Sequence, residues 1–166
     1  MNKIIVINTG GTFNKRYNPL EGELQVPHDN TALETIFNQF CLTNKVPKIK
    51  GIIYKDSLEI NKKDRKQLVK MIKALQEKNI LIVHGTDTMD KTAAYLHKHI
   101  IDKQIVITGA MTPFSIKQIE AVSNLMQGYG FLQGNKNNGI YISMNGFVKE
   151  YTKIKKNRKL GVFQCQ

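Results

Sequence analysis

Two short segments place hydroxyls and a carboxylate where apolar runs end. In Ile80-Leu81-Ile82-Val83-His84-Gly85-Thr86-Asp87-Thr88-Met89 the run closes on two threonines and an aspartate, and in Ile4-Ile5-Val6-Ile7-Asn8-Thr9-Gly10-Gly11-Thr12-Phe13 it closes on glycines and threonines. An open parallel sheet presents its ligand at the carboxyl ends of its strands, so two such endings can offer hydroxyls to one crevice. A threonine attacks a carbonyl only when a base takes its proton or a nearby cation lowers its pKa. Thr12 follows Gly10 and Gly11, whose backbone N–H groups can approach a reacting carbonyl or hold a carboxylate. Thr86 offers a second hydroxyl, and Asp87 a carboxylate suited to a substrate ammonium.

Each feature also has a plainer explanation. Asp87 and Thr88 can cap a helix that starts near Met89. The Gly-Gly turn can be tight packing or half of a phosphate loop, since a glycine turn opening onto a helix N-terminus binds anions. Thr9-Gly10-Gly11-Thr12 nevertheless lacks the third glycine of the dinucleotide pattern and the Lys-Ser/Thr of a P-loop. His84, at a strand end, reads as a buried, hydrogen-bonded side chain rather than an acid–base catalyst.

The elements that must position these loops follow from alternation of short apolar runs with helical patterns. The expected fold is α/β: a doubly wound, mostly parallel sheet flanked by helices, in one domain over residues 1–166, with a C-terminal β-hairpin and a basic tail at 149–166. Strands are expected at Lys3 to Asn8, Ile49 to Tyr54, Ile80 to Val83, Gln104 to Thr108 and Gly139 to Met144. Asn145-Gly146 signals a hairpin turn into Phe147 and Val148. Helices are expected at Thr31 to Phe40, capped by Asn30 or Thr31, at Lys62 to Lys78 with Leu68, Met71, Ile72 and Leu75 inward, and through Ala93, Leu96 and Ile100. Another carries Ile119, Val122, Leu125 and Met126. The loop from Thr9 to Pro27 is long for a βα connection, as functional lids are.

Composition narrows the classes. The 166 residues, 41% hydrophobic, suffice for one continuous core. No run of about 18 apolar residues is present and the N-terminus lacks a signal-peptide pattern, so a cytoplasmic protein without membrane contact is expected. Cys41 and Cys165 form neither a disulfide framework nor a zinc-ligand spacing. The net charge of +12 raises nucleic acid as a partner. Its lysines are spread along helices, however, with one dense cluster at Lys149, Lys153, Lys155, Lys156, Arg158 and Lys159, and no nucleic-acid motif accompanies them.

Four motifs together carry a specific resemblance: Thr9-Gly10-Gly11-Thr12, Asp56-Ser57, His84-Gly85-Thr86-Asp87-Thr88 and Thr108-Gly109-Ala110-Met111. In order and approximate spacing the chain resembles the asparaginase and glutaminase family, over that family's N-terminal domain, from the first residue to about Phe163. The resemblance implies an amidohydrolase that converts a small amide, L-asparagine first, to the acid and ammonia through an acyl-enzyme, with no metal and no cofactor. It implies Thr12 as nucleophile, assisted by Tyr17, and Thr86 as the second threonine partnered by a lysine. Alignment of Ser143-Met144-Asn145-Gly146 makes that lysine Lys156, with Lys155 the alternative. Ser57, beside Asp56, would hold the substrate α-carboxylate, Asp87 the α-ammonium, and Gly11 the approach to the reacting group.

Two departures stand out. The family's enzymes have a smaller C-terminal domain, and a neighbouring subunit's copy places an acidic residue in the site; this sequence ends before that domain is expected to begin. The polar residue often found after the substrate-binding serine is Leu58 here. A homodimer is expected, because the family assembles as dimers of dimers. Two other functions remain open: a non-catalytic asparagine- or aspartate-binding protein, and an amidase acting on an amide carried by RNA.

Overall fold

A β-branched run buried on both sides forms an inner strand, and β1 (Ile4–Gly10) is such a run. Ile5 and Ile7 pack into one apolar layer, Ile4 and Val6 into the other. The computed structural model describes residues 3–41 and 46–166; residues 1–2, which begin the expected domain, and 42–45 lie outside the described residues.

After β1 come β2 (Arg16–Asn18), β3 (Glu23–Gln25), α1 (Thr31–Phe40), β4 (Lys48–Lys55), α2 (Lys62–Lys73), β5 (Asn79–Val83), α3 (Met89–His99) and β6 (Gln104–Thr108). The chain continues through α4 (Gln118–Gly134), β7 (Gly139–Met144), β8 (Phe147–Glu150), β9 (Ile154–Asn157) and β10 (Val162–Cys165). A six-stranded sheet runs β4-β1-β5-β6-β7-β8. All its pairs are parallel except β7 with β8. Residues of α2 and α3 cover one face with Leu68, Ile72, Ala93 and Leu96. Residues of α1 and α4 cover the other with Leu33, Phe37, Ala121 and Leu125. This is the expected doubly wound fold. Strand order reverses between β1 and β5, so the loops after these two strands open onto the switch point.

Local chemistry explains where the elements differ from expectation. Helix α1 has the expected span, but neither expected cap residue caps it with its side chain. Asn30 Oδ1 accepts instead from Asn8 Nδ2 at 3.0 Å, and Asp29 Oδ1 accepts from the Thr31 N–H at 3.0 Å. Helix α2 stops at Lys73, short of the expected Lys78. There the buried Lys103 ammonium donates to the Leu75 and Glu77 carbonyls at 2.8 and 3.0 Å, which holds the chain after the helix in a non-helical path. Asn145 and Gly146 both have positive φ, 49° and 84°, as a tight hairpin turn demands.

Two stretches expected to be irregular are folded. The loop after β1 contains the antiparallel pair β2/β3. The segment expected as a basic tail forms the antiparallel pair β9/β10, whose Ile154 and Phe163 are buried in the α2/α3 layer.

Candidate active site

Glycines let three loops converge at the switch point. Gly11 has φ 79°, and a Cβ there would lie 2.4 Å from Gly85 N. A Cβ on Gly85 would lie 2.6 Å from Ser57 Cβ. The loop after β1 therefore packs on the backbone of the loop after β5, which packs in turn on Ser57 in the loop after β4, and side chains at either glycine would force them apart. The two glycine N–H groups do not face the crevice as expected: that of Gly10 donates to Asn8 Oδ1 at 3.0 Å, and that of Gly11 to Lys55 O at 2.9 Å. The turn serves by closeness, these two donors being spent on the scaffold.

The most telling contacts join the loop after β5 to the distant hairpin. Lys156 Nζ donates to Thr86 Oγ1 at 2.8 Å and to Asp87 Oδ1 at 2.9 Å. Strand alternation brings Lys156, not Lys155, within hydrogen-bond reach of these two groups. Ile154 and Lys156 share one face of β9, Ile154 buried and Lys156 opposite the buried Phe163, whereas Lys155 pairs with Gln164 and is exposed. The Lys156 side chain is 14% exposed, so its ion pair with Asp87 is shielded. Arg158 adds a second cation, donating to the Asp87 carbonyl at 3.0 Å. Asp87 does not cap α3; its N–H donates to Ser57 Oγ at 3.2 Å, and Thr88 Oγ1 donates to Ser57 O at 2.7 Å.

Ser57 is thus buried and bound to the loop that carries Thr86 and Asp87. Its neighbour Asp56 is occupied by the scaffold, accepting from Lys15 Nζ at 2.7 Å and from the Leu58 N–H at 3.1 Å. Burial acts to raise the Asp56 carboxyl, but these hydrogen bonds and the lysine charge outweigh it and hold the group below its ordinary 3.8. The Lys15–Asp56 pair ties the turn containing Thr12 to the loop after β4. Thr12 is half-buried, and among the described residues its hydroxyl has no protein hydrogen-bond partner. Tyr17 lies on β2, 63% exposed, and no hydrogen bond joins it to Thr12.

His84 is fully buried, as expected, and both ring nitrogens are engaged. Nδ1–H donates to Gly85 O at 2.7 Å, and Nε2 accepts from the Thr92 hydroxyl at 2.8 Å. That hydroxyl oxygen accepts from Arg65 Nε at 3.0 Å, while Arg65 Nη2 donates to Thr88 Oγ1 at 3.2 Å. Burial pushes His84 from 6.5 down to about 4, so the folded protein holds it neutral. Between about pH 6.5 and 4 the unfolded chain binds a proton that the fold refuses, so this contribution is complete above pH 6.5 and is lost as pH falls. An unfolding free energy, measured in urea, that falls on acidification through this window by a total of roughly 3 kcal/mol is the expected result. His84→Gln should flatten that slope; an unchanged slope would assign it to other groups.

Arg65, Thr92 and Lys15 are not among the residues the sequence singles out, and Arg158 stands out there only as part of the basic cluster. Only Thr92 had a signal, a hydroxyl one turn into the helix that follows the buried histidine. The cations approach from elements 20 residues or more away from the loop residues they hold, and no local pattern reports that.

Hydroxyls, a lysine and a carboxylate gather at the switch point of a doubly wound α/β sheet, the place where such folds bind their ligands. The chain belongs to the asparaginase family: residues 3–163 match the family's N-terminal domain. It is 26% identical over 156 residues to a glutaminase-asparaginase of Acinetobacter glutaminasificans, covering 89% of this chain and 47% of that protein. It is 22% identical over 163 residues to a glutaminase-asparaginase of Pseudomonas fluorescens biotype A, covering 92% of this chain and 45% of that one. The thermostable L-asparaginase of Thermococcus kodakarensis superposes with a TM-score of 0.82 at 25% identity, over 98% of this chain and 50% of its own. The chain spans about half the length of these relatives. Among the described residues no group of three or more His, Cys, Asp or Glu could hold a metal ion, and no helix is long and apolar enough to cross a membrane.

Proposed function

We propose that this chain carries the amide-hydrolysing centre of an asparaginase-like enzyme acting on a small amide, with L-asparagine as first choice. The observation that supports it most is the Lys156 ammonium within 2.9 Å of both Thr86 Oγ1 and Asp87 Oδ1. Thr12 Oγ bonds to the amide carbon, and ammonia leaves with the proton taken up on the nitrogen. Water then attacks the acyl-enzyme, freeing the acid and restoring Thr12. Thr86 and Lys156 relay the proton, and Tyr17, on the hairpin after Thr12, assists the nucleophile.

Substrate binding and proton relay are linked in this reading. Asp87 is the ion-pair partner of Lys156. A substrate ammonium seated on Asp87 displaces that lysine and sets a second cation beside it; the lysine gives its proton to solvent and, as the free amine, takes the one that Thr86 passes on. Ser57 receives the α-carboxylate, and Gly11 keeps the turn close enough for Thr12 to reach the amide. A cytoplasmic homodimer working without metal or cofactor belongs to the same reading.

Ammonia release measured over asparagine, glutamine and a panel of small amides tests it. Turnover of at least one supports the enzyme, whereas calorimetric binding of asparagine without ammonia points to a binding protein. Asp87→Asn is expected to weaken substrate binding by roughly 10- to 100-fold with the fold intact, since a charge-assisted hydrogen bond contributes about 1.5–3 kcal/mol. Calorimetry with aspartate measures this, and unchanged affinity would remove Asp87 from the ammonium site.

A further inference from the structure

Helix α2 holds six lysines and arginines in 12 residues, against one carboxylate. That carboxylate, Asp64, is committed elsewhere, pairing with Lys55 at 3.0 Å and closing the capping box of its own helix. Between α2 and α3 lies a groove of about 480 Å³ lined by Lys62, Arg65, Lys91, Tyr95, Lys98 and His99. Its volume lies within the range of small-molecule sites. No acidic residue lines it. Asp90, the carboxylate of α3, lines the separate cleft that contains Thr86, Asp87 and Lys156. Among the described residues no ion pair involves Lys62, Lys91 or Lys98. Asp64 and Asp90 act on Arg65 from outside the groove, but the three lysines that line it with Arg65 repel one another, and a multiply charged anion between them relieves that repulsion.

Arg65 makes this groove more than a charged surface. It lines the groove and also donates through Nε to Thr92 and through Nη2 to Thr88. Thr92 in turn holds His84, and Thr88 holds the Ser57 carbonyl. An anion that draws the guanidinium outward competes with the two bonds that brace the loop of Thr86 and Asp87.

We propose that the α2–α3 groove is a binding site for a small anion bearing two or more phosphate charges, and that Arg65 transmits its occupancy to the 84–88 loop. The groove is separate from the amide site, so its test does not depend on hydrolysis.

Calorimetric titration of the whole chain with pyrophosphate and with ATP, at physiological ionic strength, is the first measurement. Saturable 1:1 binding is expected, weakened about tenfold or more in the Lys62→Ala/Lys98→Ala double variant. Both lysines are exposed and outside the amide site, so that variant should keep the wild-type melting temperature and ammonia release. No binding by the wild type, or equal binding by the variant, overturns the site. Single-stranded RNA is the competing ligand: if Lys63→Ala/Lys70→Ala on α2 weakens RNA binding as much as the groove variant does, and pyrophosphate does not compete, the helix surface binds polyanions and the groove proposal fails.

The second measurement follows the His84 ring resonances. Pyrophosphate should shift them in the wild type. In Arg65→Lys, which keeps charge but cannot make both donor contacts, it should bind without shifting them. An unmoved His84 in the saturated wild type removes the coupling.

Discussion

Thr12→Ala is expected to reduce ammonia release by several orders of magnitude while the protein keeps its fold and its affinity for aspartate. Thr12 sits half-buried on a turn held by other groups: Asn14 Nδ2 donates to Gly10 O at 2.8 Å, and the Lys15–Asp56 pair closes the far side. Among the described residues its own hydroxyl makes no hydrogen bond to the protein, so removing it leaves no partner unsatisfied. The loss falls on the reaction, because deleting a nucleophile leaves only binding and electrostatic stabilisation to act. Thr12→Ser restores a hydroxyl on a more mobile side chain and should recover part of the rate. Thr86→Ala is expected to be as damaging to turnover, but it also leaves Lys156 short of one acceptor. The two variants should therefore differ in stability and agree in rate, and near-wild-type turnover in either would remove that threonine from the reaction.

What could be read from sequence was whatever a local pattern encodes. Strand endings in Thr12 and in Thr86-Asp87 placed both hydroxyl loops at a sheet's carboxyl edge, and the strand order β4-β1-β5 puts them side by side. The Asn145-Gly146 turn was legible because both positions need positive φ. The β9/β10 hairpin was not legible, since Lys155-Lys156-Asn157-Arg158-Lys159 has the composition of a solvated tail. Its order comes from Ile154 and Phe163 entering a core built by residues far away in the chain. The Arg65–Thr92–His84 chain was hidden for the same reason: each link joins different elements, and only the packing of α2 on α3 brings them together. Tyr17, expected in an irregular loop, lies on the β2/β3 hairpin, and its partnership with Thr12 rests on the proposed reaction.

Lys156→Arg is expected to be inactive in ammonia release despite its conserved charge. Lysine can surrender a proton at a buried site, whereas guanidinium stays protonated and cannot accept the proton that Thr86 must pass on. The site is also tight, with Nζ 2.8 Å from Thr86 Oγ1 and 2.9 Å from Asp87 Oδ1, so a forked guanidinium replaces a point charge. Neighbouring lysines provide the controls that separate chemistry from charge. Lys155 is exposed at the rim of the cleft and bonds neither Thr86 nor Asp87, Lys153 is in an exposed pair with Glu150 at 3.1 Å, and Lys159 lies in the exposed β9/β10 turn. Arginine at any of the three should leave turnover within about twofold, as surface substitutions away from structural features change little. A reading that assigns Lys156 only to bracing Asp87 makes the opposite prediction, because arginine pairs with a carboxylate as well as lysine does. The pH profile decides between them: bracing survives in Lys156→Arg with the wild-type profile, whereas a proton relay loses its rate at every pH.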